Sequence, residues 1–214
     1  MPDAAPTTQP LDRSRVMTAR NAVFVIFALA GLVFASWASR IADTKEALGL
    51  SAGELGMTLF AASVGSVTGL PLAGRISQRI GATRAVALGT AVALSGLLVV
   101  GAVVDAGGSR LALAAGLFLV GLGVGVWDVS MNLEGADVER GLGTAVMPHF
   151  HAAFSGGTVG SALIGAGMSW AGVPLTIHFI GAAAFTVLAA RGSPVGMSPQ
   201  TADPTPAAAR APDG

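Results

Sequence analysis

Five polar residues stand out because they lie within long apolar stretches of this sequence. They are Asp128, Asn132, His149, His151 and Ser155. A carboxylate and an imidazole both take up and release protons, and histidine titrates near neutral pH. An ionisable group inside a membrane helix costs roughly 3 kcal/mol on insertion scales, so its presence there indicates a function. We therefore predict that these residues form a pathway for protons and a polar solute.

Helical spacing groups these side chains. Asn132 lies one turn after Asp128 on the same face, because residues i and i+4 stack along a helix. His151 and Ser155 share a face for the same reason, whereas His149 points elsewhere. The two stretches that carry these residues are expected to enter the membrane from the same side. Asp128 and His151 are therefore predicted to lie at similar depth.

Structural alternatives stay open for the charged and histidine side chains. Asp128 has the alternative of lying near the end of its helix, where it would snorkel or pair with an arginine. Each histidine has the alternative of a hydrogen bond to a backbone carbonyl across a helix interface. His178 is interpreted as a packing residue, and Arg40 with Asp43 as a solvated loop pair.

The elements that must position these residues are six apolar stretches, each near the length needed to cross a bilayer. A hydrocarbon core about 30 Å thick needs roughly 20 helical residues. The stretches are Asn21–Ser39, Ala52–Ala73, Thr83–Val104, Leu111–Leu133, Val146–Trp170 and Pro174–Ala190. They do not alternate as barrel strands do. With 52% hydrophobic residues, 11% charged residues and a mean hydropathy of +0.69, the 214-residue chain is predicted to be an all-α membrane protein.

Composition also sets the packing and the chemistry. Thirty glycines favour close helix crossings, and Gly121–Gly125 and Gly156–Gly160 have the four-residue spacing typical of them. Zero cysteine excludes disulfides and thiolate chemistry. The sequence holds no nucleotide-binding loop, metal cluster or haem motif, so we expect no cofactor and no nucleic acid partner. The expected partners are the lipid bilayer and a small polar solute, with protons as a further candidate.

The placement of the positive charges predicts the topology. One predicted side carries Arg13, Arg15, Arg20, Arg75, Arg79, Arg84, Arg140 and Arg191, and the other carries Arg40, Lys45 and Arg110. The positive-inside rule therefore places both termini in the cytoplasm. We expect a disordered tail over residues 1–20, a six-helix domain over 21–191 and a second disordered tail over 192–214. The expected location is the plasma membrane, the inner one in a bacterium.

Two groups of residues resemble one known family. The stretch from Gly69 to Arg84 resembles the loop motif between helices two and three of the major facilitator superfamily. The residues of this motif, with the motif's acidic position occupied here by glutamine, are Gly74, Arg75, Gln78, Arg79, Gly81 and Arg84. Three further stretches are similar to the fucose-permease-like branch of that superfamily, and they are Ser36–Ile41, Gly121–Asn132 and His149–Gly157.

The resemblance covers about residues 20–190 and implies a fold and a function. Transporters of this family have twelve helices in two halves, each built as a 3+3 inverted repeat, with substrate bound between the halves. This chain would be the amino-terminal six-helix half, which implies a second six-helix unit or a homodimer as a partner. Fucose-type permeases carry a cavity-facing carboxylate at the position of Asp128, where it takes part in proton-coupled sugar uptake. The resemblance therefore implies a proton-coupled permease for a small polar solute.

Two other functions are weighed against transport. The first is a non-transporting membrane remnant or assembly partner. The second, more remote, is a rhomboid-type intramembrane serine protease, because Ser155 and the membrane residue His178 are of the types that such chemistry needs. A hydrogen bond between Ser155 and His178 would favour the protease. We predict that the protein is not an enzyme.

Overall fold

The computed structural model describes residues 13–192, and seven α-helices occupy nearly all of that range. They are α1 (Arg13–Ala38), α2 (Ile41–Ala47), α3 (Ala52–Ile80), α4 (Ala82–Asp105), α5 (Arg110–Leu142), α6 (Met147–Trp170) and α7 (Leu175–Gly192). Six of them are long and α2 is a short helix that follows α1. The described residues contain no β-strand, so the predicted all-α fold is confirmed.

Three helices extend beyond the predicted apolar stretches. α1 begins at Arg13, so residues 13–20 are helical and their assignment to a disordered tail is wrong. The rest of the first tail and residues 193–214 of the second lie outside the described residues. α3 continues to Ile80 and α5 to Leu142 through polar sequence. Hydropathy marks the part of a helix that lies in lipid, but backbone hydrogen bonding continues beyond it.

Five helical segments of the described chain are long and apolar enough to cross a membrane. They are α1 continued by α2, α3, α4, α5 and α7. α6 is not among them, because glycine, serine and histidine interrupt its apolar sequence. It nevertheless packs along α1 from the Phe24–Phe150 ring contact to the approach of Ser39 and Gly165. α6 therefore follows α1 across the bundle as the sixth long helix of a multi-pass membrane protein.

Two close helix pairs join helices that are distant in the sequence and run parallel. α1 pairs with α6 and α3 pairs with α5, while α4 packs antiparallel to α5. In each parallel pair, an Ala-x-x-Gly segment of one helix meets a Phe-x-x-Gly segment of the other. The segments are Ala28–Gly31 with Phe154–Gly157, and Ala62–Gly65 with Phe118–Gly121. Each glycine lies against the carbonyl oxygen of the first residue of the opposite segment, and a Cβ there would overlap that oxygen.

Buried hydroxyl pairs occupy the same two interfaces. Ser36 of α1 and Ser161 of α6 are 3.0 Å apart between their Oγ atoms. Ser77 of α3 and Ser130 of α5 are 3.1 Å apart. Two helices of the first three long helices thus pack against helices of the last three in matching pairs, α1 with α6 and α3 with α5. This is the arrangement that a 3+3 inverted repeat predicts.

The glycine prediction is half right. A Cβ at Gly121 would meet Ala62 and a Cβ at Gly125 would meet Ser66, so both glycines pack closely as expected. A Cβ at Gly156 or Gly160 would meet nothing within 4 Å. Gly157 makes the close approach on α6 instead. Spacing identifies a helix face that is able to pack closely, but it does not say which glycine of an adjacent pair faces the partner.

Carboxylates satisfy the first backbone N–H groups of three long helices. The predicted capping box is confirmed at Ser51, whose Oγ accepts from the Glu54 N–H while the Glu54 carboxylate accepts from the Ser51 N–H. Asp105, at the end of α4, accepts from the N–H groups of Leu175 and Thr176 at 3.0 and 2.8 Å. Glu139 of α5 accepts from the first two N–H groups at the start of α6, at 2.7 and 2.8 Å. These contacts fix the starts of α6 and α7 against earlier helices.

Arg40 corrects the prediction of a solvated loop pair. Its side chain is 3% exposed and forms an ion pair with Asp43. Its Nη2 also donates to the carbonyl oxygen of Val173 at 2.7 Å, and Asp43 accepts a hydrogen bond from Ser169 at 2.7 Å. The α1–α2 junction is thereby attached to the α6–α7 connection by buried polar contacts. Sequence proximity suggested the Arg40–Asp43 pair, but the partners that bury it lie more than 120 residues later.

Candidate functional site

Asp128 lies in the interior of α5 and is exposed on the surface of the described chain. It precedes the last helical residue, Leu142, by fourteen residues, which is about 21 Å at the α-helical rise. Asp128 therefore lies away from the end of the helix, but only five residues before Leu133, where the apolar part of the helix ends. Asp128 also takes part in none of the ion pairs of the described residues. Asp128 is thus a carboxylate without an ion pair in the middle of a helix. Exposure of such a charge to lipid would be unfavourable.

Asn132 lies next to Asp128 on the same face, as its spacing predicted. Its side-chain amide donates to the Asp128 backbone carbonyl at 2.8 Å, and the same nitrogen lies 3.5 Å from Asp128 Oδ1. The Asn132 amide nitrogen is therefore a hydrogen-bond donor beside the Asp128 carboxylate. The amide carbonyl oxygen forms no hydrogen bond among the described residues, which leaves an acceptor for a polar ligand.

His151 and Ser155 also lie on one face, in the first half of α6. Ser155 donates its hydroxyl hydrogen to the His151 carbonyl oxygen at 3.1 Å. The His151 ring packs edge-on against Phe27 of α1, with 5.3 Å between the ring centroids. Both His151 and Ser155 are exposed. Phe27 thus fixes one face of the imidazole, while the ring nitrogens remain open on the surface.

The predicted pairing of Asp128 with His151 would join two helices that hardly touch one another. α1 lies between α5 and α6 and packs against both. No hydrogen bond joins the two side chains among the described residues. A bound solute or water molecules would have to connect them.

His149 is exposed at the start of α6 and is not brought into this group. Its neighbour Phe150 is buried against Phe27, with 5.5 Å between the ring centroids. His149 precedes His151 by two residues, which is about 200° around the helix axis, so the two histidines point in different directions. The name polar face is used below for Asp128 and Asn132 of α5 together with His151 and Ser155 of α6, and His149 is not included in it.

Arg20 is a neighbour of this face that sequence reasoning counted only as a topology charge. Its guanidinium donates to the Asn21 side-chain oxygen at 3.2 and 3.0 Å and lies 6.0 Å from the centre of the Phe24 ring. Phe24 packs edge-on against Phe150, in the aromatic cluster that also holds His151. The interval between Arg20 and Phe24 is one helical turn, which is the signal that could have indicated this contact.

The loop-motif residues lie at the end of the bundle, apart from the polar face. Gly74, Arg75, Gln78 and Arg79 belong to the last turns of α3, and Arg84 to the first turn of α4. Only Gly81 separates the two helices, with φ of 86°, a backbone conformation that favours glycine. The motif was predicted to be a loop, and it is a helix–glycine–helix corner. Its three arginines and Gln78 are exposed.

The arrangement of Ser155 and His178 gives no support for serine protease chemistry. The Ser155 hydroxyl is engaged with the His151 carbonyl, and no hydrogen bond joins it to His178 among the described residues. His178 is 4% exposed and packs against Phe179. It lines a crevice of about 270 Å³ with Ser36 and Ser161, on a different surface from the polar face.

Comparison with known proteins finds similarity to transporters. The chain is 33% identical over 152 residues to an uncharacterized MFS-type transporter of Yersinia pestis, covering 70% of this chain and 38% of that protein. It is 31% identical over 166 residues to an uncharacterized transporter of Sinorhizobium fredii, covering 78% of this chain and 43% of that protein. No protein-family profile and no solved structure matches the chain. The chain is thus similar to MFS-type membrane transporters, and the similarity spans about two fifths of their length.

Proposed function

We propose that this chain is the amino-terminal half of a major facilitator transporter of the fucose-permease-like branch. In this proposal, the transporter moves a small polar solute, such as a sugar, together with protons. The observation that carries the proposal is the polar face formed by Asp128, Asn132, His151 and Ser155. It contains a carboxylate without an ion pair on α5 and an imidazole on α6. In this proposal, its hydrogen-bonding groups lie at the depth where such transporters bind substrate.

The same face supports a second six-helix unit as the partner. An exposed carboxylate and imidazole at this depth would contact lipid tails if the chain stayed alone, which is unfavourable. Apolar side chains of α3 are also exposed, with Met57 at 72% and Phe60 at 62%. A second unit packed over the polar face would enclose it in a water-accessible cavity. The partner is the other half of a longer protein or a second copy of this chain.

In the proposed mechanism, Asp128 takes up a proton from one side of the membrane and releases it on the other. Protonation removes the charge that opposes enclosure of a bound solute. Asn132 and Ser155 supply hydrogen bonds to the solute, and His151 holds a second titratable group across it. The proposal places the protein in the plasma membrane with both termini in the cytoplasm, in agreement with its arginine distribution.

The experiment replaces Asp128 by asparagine in the complete assembly reconstituted in vesicles. Labelled hexoses and 6-deoxyhexoses serve as probes, and uptake is measured with and without a pH gradient. Asp128→Asn keeps the size and hydrogen bonding of the side chain but removes its titration. We expect solute exchange to persist and pH-driven accumulation to be lost.

Asp137→Asn is the matched control, because Asp137 lies on the same helix and pairs with Arg140 near its end. It should leave pH-driven accumulation intact. Accumulation that survives Asp128→Asn would overturn the coupling role of Asp128. An intact assembly that neither binds nor exchanges any of these probes would instead favour a non-transporting remnant.

A further inference from the structure

A second cavity opens between α4 and α7, on a surface that none of the predicted site residues lines. Its volume is about 650 Å³, within the range of small-molecule sites in proteins. α4 and α7 form its sides, and α1 and α5 form its floor. Its lining residues that enter the argument are Thr83, Ala87, Trp127, Thr186, Val187 and Arg191. This cavity is called the α4–α7 crevice below.

The crevice exists because α4 and α7 are attached at one end only. Near the end of α4, Gly101 packs against Thr176 and Phe179, and Asp105 caps the start of α7. No comparable contact joins the two helices near Arg191 within the described chain. The helices therefore separate toward the end of the bundle that holds residues 13 and 192. The opening faces outward from the bundle, where lipid surrounds a membrane protein.

The residues inside the crevice are mostly apolar, and one of them, Trp127, has an unsatisfied hydrogen-bond donor. Trp127 is 3% exposed, and its indole Nε1 has no hydrogen-bond partner among the described residues. An indole nitrogen only donates, so this buried group needs an acceptor. Leaving such a group unpaired costs free energy comparable to a lost hydrogen bond. The ligand that fits must therefore carry an acceptor into an otherwise apolar space.

The mouth of the crevice carries an arginine on its α7 side and a carboxylate on its α4 side. Arg191 lines it at the end of α7, is exposed, and forms no hydrogen bond or ion pair among the described residues. None of the residues that line the crevice is acidic. Glu134 approaches from α5 and accepts the Thr83 hydroxyl hydrogen at 2.6 Å, at the α4 side of the mouth. A cation at the membrane surface above an apolar crevice is complementary to an anionic headgroup attached to acyl chains.

We propose that the α4–α7 crevice binds one anionic phospholipid from the leaflet that faces the chain termini. An acyl chain fills the apolar space between α4 and α7, and an ester carbonyl oxygen accepts the Trp127 N–H. The phosphate interacts with Arg191. Because the polar face lies elsewhere on the bundle, the bound lipid does not compete with a transported solute. The proposal rests on the membrane location of the chain and not on transport.

The test uses Trp127 as its own probe. Trp37→Phe and Trp170→Phe leave Trp127 as the single tryptophan of the 214-residue chain. The protein is reconstituted in vesicles that contain a small fraction of phospholipid brominated on its acyl chains, which quenches nearby tryptophan fluorescence. We expect brominated phosphatidylglycerol to quench at an about fivefold lower mole fraction than brominated phosphatidylcholine, the factor that one arginine near a membrane surface provides.

Two matched pairs of variants locate the effect. Arg191→Gln should remove the preference for the anionic lipid, whereas Arg15→Gln, an exposed arginine at the same end, should not. Ala87→Phe should fill the crevice and weaken quenching by both lipids. Leu88→Phe should not, because Leu88 is exposed on the same helix but does not line the crevice.

Three results would overturn the proposal. They are equal quenching by the two lipids, an Arg191→Gln effect no larger than that of Arg15→Gln, and absence of quenching by either lipid. The last result would mean that another part of the protein covers the crevice. If the double substitution prevents folding, native mass spectrometry of the unmodified chain replaces it. Retained phosphatidylglycerol that is lost in Arg191→Gln then supports the site, and no difference contradicts it.

Discussion

Arg40 donates a hydrogen bond from its guanidinium to the carbonyl oxygen of Val173 at 2.7 Å, across 133 residues of sequence. The same guanidinium pairs with Asp43, which in turn accepts from Ser169. A charge buried in this way is stabilised only as long as all its partners are present. The network therefore joins the first and last parts of the bundle at the end opposite the chain termini.

Replacement of Arg40 should be strongly destabilising. Arg40→Met leaves the Asp43 carboxylate and the Val173 carbonyl without their partner, and we expect a loss of about 3 kcal/mol. Arg110→Met is the control, because Arg110 forms an exposed ion pair with Glu54 at the same end. Exposed pairs contribute little to stability. Unfolding midpoints in detergent should fall for Arg40→Met only, and equal midpoints for the two variants would contradict the buried network.

The two adjacent glycines of α6 should respond differently to substitution. Gly157→Leu places a side chain where the Ala28 carbonyl oxygen lies, so α1 and α6 must separate, at a cost of about 2 kcal/mol. Gly156→Leu places the same side chain in open space and should leave the stability of this chain unchanged. Unfolding in a denaturing detergent series measures both. Equal destabilisation would mean that the close approach of α1 and α6 is not formed.

Both ends of the chain are expected to face the cytoplasm. Fusion of a reporter that is active only inside the cell should give a signal after residue 15 and after residue 195. A reporter after residue 107, between α4 and α5, should be inactive, because this connection lies at the opposite end of the bundle. A periplasmic or extracellular signal from either end fusion would refute the topology.

Assembly with a second six-helix unit should be required for a stable particle. The purified 214-residue chain is expected to give dimers, or complexes with another membrane subunit, in native mass spectrometry. Asp128→Leu should increase the proportion of monomer, because the monomer then no longer exposes this charge to lipid. A monomer that is stable and active in transport would rule out the requirement for a partner.

Much of the fold could be predicted because a membrane imposes simple rules on sequence. Helix number, the Ser51 cap and the shared faces of Asp128 with Asn132 and of His151 with Ser155 follow from hydropathy and helical spacing. These are local properties, with no more than four residues between the groups concerned. Local periodicity is sufficient to predict them.

The features that were predicted wrongly, or not predicted, depend on contacts between distant segments. The burial of Arg40 requires Val173 and Ser169, and the choice of Gly157 over Gly156 depends on how α6 is rotated toward α1. In both cases, the contacts come from segments that are distant in the sequence.

The reciprocal pairing of α1 with α6 and of α3 with α5 has a consequence for biosynthesis. α1 leaves the ribosome more than one hundred residues before α6, which packs against its glycine, and α3 more than twenty residues before α5. Until then, the glycine grooves at Gly31 and Gly65 remain lined by lipid tails. α6 is the long helix that is not apolar enough to cross a membrane by itself. It is synthesised after α1, so α1 is already in the membrane when α6 packs against it. Truncation of the nascent chain before Met147 should therefore leave a substrate for membrane quality-control proteases, since the groove at Gly31 would remain unfilled.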